Sequence, residues 1–203
     1  MSTRGKKALF LLKDAFIFTS IVLLVIFLTI QVFKVTQQKQ EESDLIRKLK
    51  QVGSAYYAYY LDTSYELPLL NYGNSWEVNA VQLVSSDVEG WQGPYVSLPI
   101  NQDGASLGFK GFESMTLARA TSHKWNSLDD LEKYSCKNKK SQYRKCYTWI
   151  VLTGKDGNNE ISEYIDMLED YITESSNKNS GRIRASDDYK YLFVEIGLSD
   201  VSK

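Results

Sequence analysis

The feature that most constrains this chain is an uncharged run near its start. Residues Ala15 to Phe33 (AFIFTSIVLLVIFLTIQVF) contain no Asp, Glu, Lys, Arg or His. Apart from Ala15, Thr19, Ser20, Thr29 and Gln31, every residue in the run is Phe, Ile, Val or Leu. At about 1.5 Å rise per residue, a helix of this length crosses the hydrocarbon core of a bilayer. Each large apolar residue favours insertion by roughly 0.3–0.6 kcal/mol, or roughly 4–8 kcal/mol together, less the cost of the Thr, Ser and Gln residues. The sequence therefore predicts a single membrane span with most of the chain on one side of it.

The flanks predict the orientation. Arg4, Lys6, Lys7 and Lys13 precede the span, opposed only by Asp14, whereas Lys34 and Lys39 are soon met by Glu41, Glu42 and Asp44. Short basic flanks stay in the cytoplasm, so the N-terminus is expected inside and the large domain outside. A cleaved secretory signal is the rival reading. The apolar run exceeds the roughly 7–15 residues of such signals, and Val32-Phe33-Lys34-Val35-Thr36 offers no small-x-small cleavage site. The span is expected to persist.

The two cysteines, Cys136 and Cys146, both follow the span and close the segment CKNKKSQYRKC. In an oxidising compartment they are expected to form a disulfide, worth roughly 3 kcal/mol for a loop of about 11 residues. A metal site is the rival, disfavoured because the pair has no neighbouring His. The formal net charge of −1 does not mark the whole chain as a nucleic-acid binder.

Beyond Lys34 no Pro intervenes until Pro68. Leu45, Leu49, Val52, Tyr56 and Tyr59 recur at helical spacing, and Gln37, Gln40, Glu41, Arg47, Lys48 and Lys50 fill the other face. One helix from about Leu9 to about Leu61, roughly 80 Å long, is predicted. Its first half (9–34) is apolar all round, and its second half (35–62) is amphipathic. Gly53 leaves room for a strand to approach.

The remainder, 63–203, reads as one α+β domain. Trp76–Ser85 is expected as a short helix and Asn101–Ala105 as a turn. Leu107–Leu117, Tyr147–Leu152 and Tyr189–Ile196 are expected strands. Ser127 opens a short helix, and Ile161, Tyr164, Ile165, Leu168 and Ile172 recur at helical spacing. Gly154–Asn159 and Ser175–Gly181 are expected loops. The strands are expected to form an antiparallel sheet against the amphipathic helix.

This layout resembles the type IV pilins and the pseudopilins of type II secretion. Residues 1–8 look like a basic leader, with Lys6-Lys7-Ala8 before an apolar Leu9-Phe10-Leu11-Leu12. The family's processing site thereby falls on Ala8 and Leu9. Asp62–Pro68 and Trp91-Gln-Gly-Pro-Tyr-Val96 look like segments that follow the helix in these proteins. Cys146-Tyr-Thr-Trp, Gly154-Lys-Asp-Gly-Asn and Gly181-Arg-Ile-Arg184 resemble minor members more loosely. The resemblance implies a pilin-like fold in the bacterial inner membrane. It implies as partners other pilin-like subunits, an inner-membrane assembly platform, prepilin peptidase and membrane lipid. Phe16, Ile17, Ile21, Leu24 and Leu28 would form the helix-assembly face. Lys13 stands where the family carries a Glu that meets a neighbour's new amine. Asp14 points about 100° away and substitutes poorly, so the resemblance implies a minor, initiating or tip subunit. A signal-anchored binding domain that never assembles is the alternative.

Two binding features stand beside this reading. The cysteine loop carries Lys137, Lys139, Lys140, Arg144 and Lys145 with Tyr143 and no acid, a composition that suits a polyanion such as nucleic acid. The plainer expectation is a solvated loop. Asp156, Asn158 and Glu160 have the alternate spacing of calcium ligands, and Asp187-Asp188 offers further oxygens. However, Ile161 and Met167 occupy the places of the Gly and closing Glu of an EF-hand loop. An ordinary polar turn and no cofactor are expected. His123, the single His, has no evident triad partner, and no phosphate loop or zinc signature is visible. The expected function is structural, not enzymatic.

Overall fold

The computed structural model describes residues 3–70, 76–123, 125, 127–136, 145–155, 160–171 and 181–199. Side chains are described from residue 19 onward and, within 160–171, at 161, 162, 164, 165, 167 and 168. The chain divides into two units, Met1–Leu45 and Ile46–Lys203.

The first unit is helical. Helix α1 (Thr3–Thr63) begins there, six residues before the expected start at Leu9. Every side chain from 19 to 41 is exposed, with Leu23 at 66% and Phe33 at 62%. The hydroxyls of Thr29 and Thr36 donate to the carbonyls of Val25 and Val32 one turn back. That arrangement satisfies a polar group within an apolar helix without an outside partner. This helix has the length and composition of a single-pass membrane anchor or signal.

The second unit is α+β. Leu49, Val52, Ala55, Tyr56 and Tyr59 on α1 are buried, as is Leu45 one turn earlier in the first unit, so the face read from the spacing is the buried one. The helix stops at Ser64, whose φ of 60° gives a left-handed cap. Ser64 N–H donates to the carbonyl of Tyr60, and the Thr63 hydroxyl donates to that of Tyr59.

Five antiparallel strands follow: β1 (Glu77–Val78), β2 (Ser114–Thr121), β3 (Cys146–Thr153), β4 (Ile183–Ala185) and β5 (Tyr191–Ser199). Their order across the sheet is β1-β2-β3-β5-β4. Helix α2 (Leu128–Lys133) lies against β2, and α3 (Glu160–Tyr171) against β4 and β5. Ser127 caps α2 by accepting from Asp130 N–H, as its sequence position predicts.

The pleat sorts the sheet into two buried faces. Ala118, Ala120, Trp149, Val151 and Phe193 form one core with Trp76, Trp125 and Leu131. On the opposite face, Met115 is in register with Leu152, Leu117 with Ile150, and Arg119 with Thr148. A bulge interrupts the β3–β5 register between Thr148 and Trp149.

Two expectations require correction. Trp76–Ser85 is not a helix: it holds β1 and a single 3₁₀ turn at Ala80–Leu83. Val78 pairs with Leu117 on one side and Leu69 on the other, so ladder hydrogen bonds outweigh local helix preference. The strand expected over Leu107–Leu117 is instead Ser114–Thr121. Gly111, at φ 93°, turns the chain just before it.

Candidate functional site

Sequence reasoning places function on the long helix, the cysteine loop and a polar turn. Ala8, Leu9, Lys13, Asp14, Phe16 and Ile17 lie within the backbone of α1, and their side chains fall outside the described residues. Ile21, Leu24 and Leu28 are 56%, 61% and 53% exposed. Their spacing of three and four residues sets them along one side of the helix.

The helix end is held by the tryptophan–glycine–proline–tyrosine segment. The Tyr95 hydroxyl donates to Asp62 Oδ2 at 2.8 Å and accepts from Gln92 N–H at 2.9 Å. Trp91 Nε1 donates to the carbonyl of Gln82 at 3.0 Å, and the Tyr59 hydroxyl donates to Gln82 Oε1 at 2.8 Å. The Tyr95 ring meets those of Tyr59 and Trp91 edge-on. Burial, with Asp62 alongside, raises the Tyr95 phenol above its ordinary range. Gly90, at φ 86°, brings this segment against the helix, and a Cβ there would lie 2.6 Å from the Asp62 carbonyl oxygen.

Cys136 and Cys146 form the expected disulfide. Cys146 opens β3, and Ser135, beside Cys136, bridges to Ala120 on β2. The ring is thus anchored at both ends in the sheet. Lys145 is exposed. Lys137, Lys139, Lys140 and Arg144 lie outside the described residues, as do Asp156 and Asn158. Glu160 is the first residue of α3, with its side chain outside the description. Asp188 accepts from the Ser186 hydroxyl at 2.6 Å and from Lys190 N–H at 3.1 Å within a hairpin turn. Among the described residues, no three His, Cys, Asp or Glu side chains gather as metal ligands do. His123 stacks on Tyr134 with centroids 4.6 Å apart, and its Nδ1 is 2.9 Å from the Thr121 hydroxyl.

Two buried polar centres were not anticipated. Arg184 on β4 is 1% exposed and packs against the adjoining rings of Trp125 and Trp149, its guanidinium carbon 4.4 and 4.5 Å from the ring centroids. It donates to the carbonyls of His123, Ser122 and Gly181. Burial pulls its pKa down to about 10, so it stays charged at neutral pH. The two ring faces and three carbonyl dipoles offset that desolvation. The second centre joins Glu66 to Arg119 at 2.8 Å and to the Ser199 hydroxyl at 2.8 and 2.9 Å. Arg119 also donates to the Leu67 carbonyl. Burial raises the Tyr56 phenol above its usual range, against the pull of the nearby Thr148 and Ser199 hydroxyls. No local signal marked the first centre, because Ile183-Arg184-Ala185 is too short to show an alternation.

No protein-family model, no curated protein and no solved structure matches this chain.

Proposed function

We propose that this chain is a minor pilin-like subunit: a structural protein that joins or primes an envelope-spanning filament of a type IV pilus, type II secretion or DNA-uptake machine. The observation that carries the reading is α1 itself. Its residues from 19 to 41 are exposed and largely apolar, while its last turns bury Leu49, Val52, Tyr56 and Tyr59 in an antiparallel α+β domain. An apolar face with lipid around it exchanges lipid for neighbouring helices by close packing, and Ile21, Leu24 and Leu28 are suited to that exchange. In this reading the protein is held in the bacterial inner membrane with its N-terminus in the cytoplasm. Prepilin peptidase cuts between Ala8 and Leu9, and the domain selects neighbouring subunits and meets the assembly platform. The Cys136–Cys146 disulfide is in keeping with an extracytoplasmic domain.

Lys13 supports a second reading, a signal-anchored binding domain that stays single, because a cation there repels rather than pairs with a neighbour's amine. The mass and N-terminal sequence of the protein extracted from its native membrane separate the two. A mature chain beginning at Leu9 with a methylated amine is the expected result. A chain still beginning at Met1 or Ser2 removes the processed-subunit reading and puts the fixed anchor in its place.

A further inference from the structure

We draw no further inference here: the strongest candidate, the exposed apolar surface patch of Tyr57, Tyr60, Leu61 and Tyr65 at the C-terminal end of α1, carries nothing because nothing in the structure shows what covers it.

Discussion

The guanidinium of Arg184 lies with its central carbon 4.5 Å from the centroid of Trp149, two strands away across the sheet. With Trp125 against the same carbon at 4.4 Å, this arginine fastens the segment after β2 to the body of the domain through the carbonyls of Ser122 and His123. Replacement by Met leaves those carbonyls and that of Gly181 without this donor. Arg184→Met is expected to lose about 2–4 kcal/mol, and Arg184→Lys, which keeps the charge but not the fork, an intermediate amount. Chemical unfolding followed by tryptophan fluorescence reads both.

Gly53 lies close to β5, but a Cβ at that position would sit 3.7 Å from Ile196 Cβ, an ordinary contact. The glycine is therefore not required for the approach. Gly53→Ala is expected to stabilise the domain by about 1 kcal/mol through helix propensity alone. Gly53→Leu is expected to destabilise it by forcing Ile196 aside. Thermal unfolding of the two variants against the parent checks the pair of signs.

Tyr189 adopts φ 54° in the turn between β4 and β5, where its N–H donates to the Ser186 carbonyl. A side chain with a Cβ is strained there, and glycine is not. Tyr189→Gly is expected to gain about 1 kcal/mol, seen as a rise of roughly 2–4 °C in midpoint. A fall would mean that the ring's packing outweighs the strain.

Two carboxylates set an acid limit. The Ser106 hydroxyl, then the backbone N–H groups of Ser106 and Ala105, hold Asp103 below its ordinary 3.8. The Ser186 hydroxyl leads in doing the same for Asp188. Their folded-state values are depressed, so the unfolded chain takes up protons first as pH falls. The stability they contribute is present above about pH 4 and lost as pH drops through the folded values. A midpoint-against-pH series is expected to steepen downward below pH 4, and less so in the Asp103→Asn, Asp188→Asn double variant.

Local signals were the legible ones. The run Tyr147–Leu152 falls inside β3, the spacing from Leu45 to Tyr59 gave the buried face of α1, and Ser127 marked the start of α2. The expected strand Tyr189–Ile196 overlaps β5, but its first residues belong to the turn, whose chemistry is set by Ser186 and Asp188. What escaped depended on distant partners. β1 is two residues long and exists because Leu69 and Leu117 flank it. β4 is only Ile183–Ala185, too short for an alternation to register. Neither Arg184 against two tryptophans nor Glu66 against Arg119 follows from any spacing, since 53 positions separate the latter pair (119 − 66).

The strand order carries a consequence for how the domain is made. Among the described strands β5 is the last in chain order, yet it lies between β3 and β4 and is the strand that β4 pairs with. The β2–β3 pair can form earlier, but until Tyr191–Ser199 arrives its far edge, Cys146–Thr153, remains open to any passing strand. A domain whose earlier strands emerge first therefore holds that edge exposed until β5 follows, and the docking of β5 is the step that commits it to its fold.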